Sequence, residues 1–219
     1  RQGVWLDVKV TAAPLRDEHD AITAYVGVID DITQRKRAER RAAAELAATQ
    51  VLADVSTVAE AAPRLLQAIC ENLRWQWGTF WGVDAEAGKL RCLAVWSEPT
   101  LDTRALADHT RALTFERGTG LPGTVWSSGA PRFVGDVSVE SAFARREAAI
   151  ALGLRSALGF PVVQRGEVLG VFELFSLEPR QPDDALLAMF TNIGGQLGQF
   201  MERKRIEEER DLFFAVSLE

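Results

Sequence analysis

The sequence predicts an α+β fold built on an antiparallel sheet, and three observations predict it. Apolar strands come in pairs joined by short polar turns, at 75–96 and again at 155–176. Two stretches, 58–74 and 184 onward, repeat their apolar residues at spacings of three and four, the period of a helix with one buried face. Two helices, a hairpin, a glycine turn with a short helix, a connecting helix, a final hairpin and a closing helix follow in α+β order, and an antiparallel sheet with helices packed mainly on one face satisfies it.

Composition bounds the rest. The chain has 219 residues, 47% hydrophobic and 26% charged, which are globular values that suit one domain plus pieces of others. A net charge of -6 argues against general nucleic-acid affinity. The two cysteines, Cys70 and Cys92, stand far apart and read as buried, reduced thiols of a cytoplasmic protein. No apolar run reaches a transmembrane length and no signal peptide is visible. Residue 1 is Arg and the chain stops at Glu219, so a fragment of a longer protein is expected.

Taken in order, Trp5, Val8 and Val10 form an imperfect strand alternation, and Ala24–Ile29 returns after the polar turn Arg16–Asp20, in which His19 reads as solvated. The return strand runs through Asp31-Ile32-Thr33 into a charged helix at 34–56, with Thr33 placed as an N-cap for its first turn. The basic run Arg35-Lys36-Arg37 with Arg40-Arg41 alternates with Glu39 and Glu45 and reads as a solvated helix face. Along 58–74, Leu65, Leu66, Ile69, Cys70 and Leu73 share one face, and Pro63 marks a possible restart. The strand at 75–83 is rich in aromatics. In its partner, Leu90, Cys92, Ala94 and Trp96 are expected on one face and Arg91, Leu93 and Val95 on the other. A short helix at 102–113 carries His109, expected to be exposed.

Gly118, Gly120 and Gly123 match a dinucleotide-binding glycine pattern. Pro122 stiffens the loop where amides would cradle a pyrophosphate, and the simpler reading is a glycine turn and a short helix ending at Gly129. A short strand at 131–134, an Ala-rich helix at 141–152, a hairpin turning at Gln164-Arg165-Gly166 and a long helix capped by Asp183 or Asp184 complete the series. In that helix Leu186, Phe190, Ile193, Leu197 and Phe200 lie on one stripe, and the charged sequence beyond Phe200 contains nothing that breaks it.

Two resemblances sit on these residues. Trp5–Leu15 and Ala24–Thr33, with the terminal Asp-Ile-Thr, resemble the last two strands of a PAS domain; the resemblance implies that Asp31 and Thr33 tie the helix base to the sheet and relay the signal. Gly118-x-Gly-Leu-Pro-Gly-x-Val-Trp126, Gly153–Pro161, Gly170–Ser176 and Ile193–Arg203 resemble a GAF domain, covering roughly residues 45–203. The organisation this implies is the C-terminal part of a PAS domain at 1–37, a linker helix at 38–50, a GAF domain at 51–202, and a linker helix with the start of a second PAS domain at 203–219, where Arg210–Leu218 resembles such a start. That arrangement is typical of bacterial sensor histidine kinases and also precedes diguanylate cyclases.

The chemistry expected of the segment is regulatory. No nucleophile–base pair, metal-ligand cluster, phosphoacceptor motif, ATP-binding glycine motif or GGDEF signature is present in the sequence. No cofactor is identified: residues 136–155 lack Cys and His, so a covalent bilin is not expected, the signature of cyclic-nucleotide GAF domains is missing, and no axial His for haem stands out. Phe80, Trp96, Phe133, Phe143, Leu158, Phe160 and Phe172 either line a pocket for an unknown small molecule or simply fill the core, and core is the default for aromatics in alternating strands. In dimeric sensors such flanking helices pair in parallel, which nominates Leu46, Leu52, Leu197, Phe200 and Ile206 as the seam of a homodimer, with no nucleic-acid partner and no membrane segment here. The alternative from another class, a free-standing GAF-fold methionine sulfoxide reductase, needs reactive and mutually accessible cysteines.

Overall fold

A computed structural model of the chain describes residues 6–139 and 145–216, with side chains through residue 211. It divides into two compact units, Arg1–Ala43 and Ala44–Glu219. In the first, β1 (Val8–Arg16) and β2 (Ile22–Asp31) pair antiparallel as a hairpin. Asp17 organises the turn, its Oδ1 accepting from the amides of His19 and Ala21, each at 2.9 Å. After the single residue Ile32, helix α1 (Thr33–Asp54) begins.

The second unit takes up the last turns of α1 and continues with α2 (Val58–Leu73), β3 (Trp77–Asp84), β4 (Lys89–Ser97), α3 (Arg104–Ala112), β5 (Thr114–Phe115), α4 (Gly120–Ser128), β6 (Arg132–Val134), α5 (Arg146–Ala151), β7 (Ser156–Gln164), β8 (Glu167–Ser176) and α6 (Asp184–Val216). The strands make one sheet in the order β5-β4-β3-β8-β7-β6, antiparallel at every pairing. This is the α+β, antiparallel architecture expected. Of the helix expected over 141–152, residues 141–144 lie outside those described, Arg145 is a turn residue, and α5 spans Arg146–Ala151. α6 runs on through the residues that resemble the start of a second PAS domain.

Local chemistry sets the helix ends. Thr57 caps α2 by accepting from the Glu60 amide at 3.2 Å, while Glu60 Oε2 accepts from the Ser56 amide at 3.1 Å. Pro63 marks no restart, because α2 runs unbroken through it, and Arg74 ends the helix with a left-handed φ of 58°. Asp183, rather than Asp184, caps α6, its Oδ1 accepting from the Leu186 amide at 2.7 Å. The tight turn between β7 and β8 has Arg165 at φ 51° and Gly166 at φ 84°, the pair of positive values that a two-residue hairpin requires.

Period-two alternation divides the sheet into two faces. On the first, Phe80, Leu158, Phe160, Val162, Phe172 and Leu174 are fully buried against α2, α6 and the end of α1, where Ala44 and Ala48 pack into the same core. α6 approaches β7 closely through Gly194 and Gly198: a Cβ there would lie 2.3 Å from the Pro161 oxygen and 2.5 Å from the Val163 oxygen. The long helices thus share one face as expected. The second face is covered by the short helices α3, α4 and α5, packed over Trp77, Trp81, Ala157, Val171 and Phe175.

One expectation fails for a physical reason. β4 does not keep Leu90, Cys92, Ala94 and Trp96 together. Phe80 pairs with Ala94 but Trp81 pairs with Cys92, so Leu93 is bulged out of register. A one-residue slip exchanges faces, sending Leu90 and Cys92 to the second face while Ala94 and Trp96 stay on the first. The displaced Leu93 side chain lies over Gly82, where a Cβ would meet it at 2.3 Å.

The glycine-rich loop uses its glycines for packing. The Gly118 amide donates to the Gly123 carbonyl at 2.7 Å, and a Cβ on Gly123 would lie 2.1 Å from the Glu116 oxygen. An amide that a phosphate would need is therefore engaged inside the loop, consistent with the glycine-turn reading.

Truncating Phe172, which lies tilted against Phe80 (4.7 Å) and stacks on Phe160 (5.0 Å), is expected to cost about 3–5 kcal/mol in denaturant-induced unfolding. Leu93→Ala, at the exposed bulge, is expected to stay within about 0.5 kcal/mol of the parent chain.

Candidate functional site

On the second face, the centre of the sheet carries a carboxylate. Glu173 stands on β8 opposite Thr79 on β3 and Gly159 on β7. Its side chain is 0% exposed and pairs with Arg145, itself 1% exposed, through Oε2 and Nη2. The same oxygen accepts from the Thr79 hydroxyl at 3.1 Å and from the Trp81 indole N–H at 3.2 Å, and that N–H also reaches Thr79 Oγ1 at 2.9 Å. Glu173 Oε1 is buried without a hydrogen-bond partner among the described residues.

Arg145 reaches this carboxylate from the residue preceding α5. Its guanidinium carbon lies 5.3 Å from the Trp81 ring, 5.5 Å from Phe175 and 5.9 Å from Phe115, and Nη1 donates to Thr110 Oγ1 on α3 at 3.4 Å. Trp81 and Phe115 meet edge to face at 4.9 Å. The result is a cation held over aromatic faces and closed by a carboxylate. Gly159 leaves room beside it: Val125 and Leu121 of α4 would stand 2.8 and 3.3 Å from a Cβ there. The β4 bulge delivers Cys92 to this face, where burial pushes its thiol up to about 11 despite the nearby Arg145 charge. Cys70 lies on the opposite face, fully buried on α2, and burial raises its thiol well above the usual value.

The aromatic residues nominated from the sequence go elsewhere. Phe80, Leu158, Phe160 and Phe172 fill the core under α2 and α6, with Phe160 stacked 4.5 Å from Phe190 of α6. Trp96 and Phe133 are half-buried against that same core, and Phe143 lies outside the described residues. The described members of the set therefore belong to the face covered by α2 and α6. What the sequence reading missed is Glu173, whose signal was a lone carboxylate inside the apolar strand Gly170–Ser176. Arg145 carried no local signal. Among the described residues, no group of three or more His, Cys, Asp or Glu could hold a metal, and no helix is long and apolar enough to cross a membrane.

The sequence profile of the GAF domain matches residues 55–202. The chain belongs to the GAF family. It is 29% identical over 170 residues to the methyl sulfide methyltransferase-associated sensor of Methanosarcina acetivorans, an alignment covering 76% of this chain and 16% of that protein. This chain therefore spans about a sixth of the length of that curated relative. Among solved structures, free methionine-R-sulfoxide reductase from Neisseria meningitidis, in complex with its substrate, superposes with a TM-score of 0.63 at 21% identity, over 78% of this chain and 93% of that one. A domain of a protein assigned as a two-component sensor histidine kinase in Sinorhizobium meliloti superposes with a TM-score of 0.54 at 24% identity, over 72% and 99%. At these identities the superpositions establish a shared fold.

Outside the GAF sheet, the base of α1 is stitched to the hairpin. Asp31 Oδ1 accepts from the Thr33 amide at 2.9 Å, and hydrogen bonds from the Thr33 hydroxyl and then its amide hold the Asp31 carboxyl below its ordinary value. The Thr33 hydroxyl does not accept from its own helix, as N-capping would require. It turns back to accept from the Asp7 amide at 2.9 Å, while the Ile32 amide donates to the Asp7 carbonyl at 2.9 Å. Arg40 reaches the Asp7 carboxylate at 3.4 Å, so Asp7 joins Asp31 and Thr33 at this junction. Of the nominated seam, Leu46 (61% exposed) and Ile206 (48%) face solvent. Leu52 is half-buried, and Leu197 and Phe200 are buried in the GAF core, so these last two are unavailable to a partner.

In native-state titration with a thiol reagent at pH 8, Cys92 is expected to react about 100-fold more slowly than an unperturbed cysteine. A thiol at about 11 instead of 9.0 holds that much less thiolate. Fast labelling of the folded chain would contradict its placement. Glu173→Ala, which leaves Arg145 buried without this carboxylate, is expected to cost about 3–5 kcal/mol in chemical denaturation.

Proposed function

We propose that the chain is the PAS–GAF sensory segment of a cytoplasmic bacterial sensor histidine kinase, without catalysis of its own. It passes a change of state through parallel flanking helices in a homodimer. The observation that carries this reading is α6. Over its first half, Met189, Phe190, Ile193, Leu197 and Phe200 are core residues of the GAF unit. Beyond Phe200 the same helix continues to Val216, supported by ion pairs such as Lys204–Glu207 at 2.7 Å and Arg205–Glu202 at 3.0 Å. At 33 residues it is about 50 Å long. A helix whose first half is domain core and which then continues with mostly exposed residues through Asp211 transmits a shift of its packed half along its length.

The sensor relative and the kinase-domain neighbour support the reading, as does the hairpin. Apolar residues are exposed on its whole length, among them Val8, Val10, Ile22, Tyr25, Val28 and Ile29. A two-stranded hairpin is marginal alone, so these residues fit the edge of a larger PAS sheet. A reductase reading draws on the Neisseria neighbour. Against it stand the two thiols, which occupy opposite faces of the sheet and are both held protonated by burial.

Sedimentation tests the relay. The chain, or a version extended in the parent protein, is expected to dimerise, and Leu46→Glu with Ile206→Glu is expected to weaken association by about tenfold or more, since about 1.4 kcal/mol suffices. A chain and an extended version that both stay monomeric at high concentration would overturn the proposal.

A further inference from the structure

We infer that Arg145 is a resident stand-in for a small organic cation. On this inference the second face of the GAF sheet is a receptor site for a compact guanidinium or alkylammonium ligand that takes Glu173 and expels Arg145. The inference deepens the sensory reading of the domain and rests on it.

The receptor and its occupant differ in how they are anchored. Glu173, Thr79, Trp81, Phe175 and Phe115 all stand on strands of one sheet. The guanidinium comes from the residue before α5, a six-residue helix in which Ala149 alone is buried. A segment with so little buried surface opens locally at low cost, whereas the central strands do not. A cage built on strands therefore holds a cation carried by a short helical segment.

The carboxylate also has unused capacity. Its Oε2 receives Thr79, Trp81 and Arg145, while its buried Oε1 receives no hydrogen bond among the described residues. Buried acceptors are ordinarily satisfied. A ligand presenting two N–H donors side by side can bridge both carboxylate oxygens, which the observed pose of Arg145 does not do. Thr110 Oγ1 offers the further acceptor that Arg145 Nη1 now uses.

The same features select the sign of the ligand. Arg145 and Glu173 are the charged residues buried among those described. With Arg145 withdrawn, the cage presents a carboxylate and the electron-rich faces of three rings, which together favour a cation and repel an anion. A buried carboxylate left alone is strongly disfavoured. Arg145 and the ligand therefore exchange one for one, and the exchange couples occupancy to the position of α5.

The test titrates the 219-residue chain with N-ethylguanidinium, which reproduces the side-chain atoms removed by Arg145→Ala. Binding is followed by calorimetry, thermal melting and amide exchange. Arg145→Ala is expected to melt lower than the parent chain and to recover at least half of that loss, saturably, with millimolar ligand. Arg145→Ala combined with Glu173→Gln is expected to lose the response. The unmodified chain is expected to bind about tenfold more weakly, because a competing internal cation must leave, and binding is expected to raise amide exchange across α5. If Arg145→Ala does not fold, the unmodified chain carries the test alone. Absence of saturable binding to the unmodified chain, or binding that leaves α5 exchange unchanged, would make Arg145 a fixed structural plug and overturn the inference. Failure here would leave the helical relay standing, because that is read from sedimentation without ligand.

Discussion

A carboxylate at the centre of a sheet covered on both faces must be neutralised where it stands. Glu173 meets that constraint, and much of the GAF unit is arranged around it. Removing an ion from water without a partner costs far more than a small domain's whole stability, so the charge demands a cation and several hydrogen-bond donors. The strands on either side answer with a threonine and a glycine, the first donating a hydroxyl and the second letting α4 close down over the strand. The cation is supplied by Arg145, 28 residues earlier in the chain. The neighbouring rings act as walls that hold it without competing for its protons.

The opposite face obeys a simpler rule. Its core cluster is apolar, and its aromatic residues pack on one another and on α6. Because side chains alternate along a strand, each central strand serves both faces: Phe172 and Leu174 hold the long helices while Glu173 between them holds the cation. β7 lies between the cage and the exit helix, touching Glu173 through Gly159 and α6 through the backbone at Pro161 and Val163. One strand thus separates the cage from the exit helix.

The architecture was legible in the sequence because its signals are periodic. The β7–β8 hairpin is readable from its turn, and the period of three and four puts Leu186, Phe190, Ile193, Leu197 and Phe200 on one stripe of α6, which packs on the core. The site was not legible, for identifiable reasons. A bulge of one residue in β4 leaves no compositional trace, yet it sends Cys92 and Ala94 to opposite faces. Aromatic richness pointed to Phe80, Phe160 and Phe172, but aromatic residues fill cores by default, and the polar exceptions in the same strands, Thr79 and Glu173, were the informative ones. Leu197 and Phe200 looked like seam residues because one helix serves two environments, and sequence period alone does not tell which stretch meets which. At the base of α1, the role of Asp7 depends on a contact across 26 residues that no local pattern announces.

The central claim is that the buried ion pair acts as one unit at the heart of the second face. A double-replacement cycle measures this most directly, comparing Arg145→Met, Glu173→Leu and the two combined in denaturant unfolding. The account predicts that the combined variant regains most of the stability that either single replacement loses, because no buried charge is then left alone. Losses that simply add would contradict it.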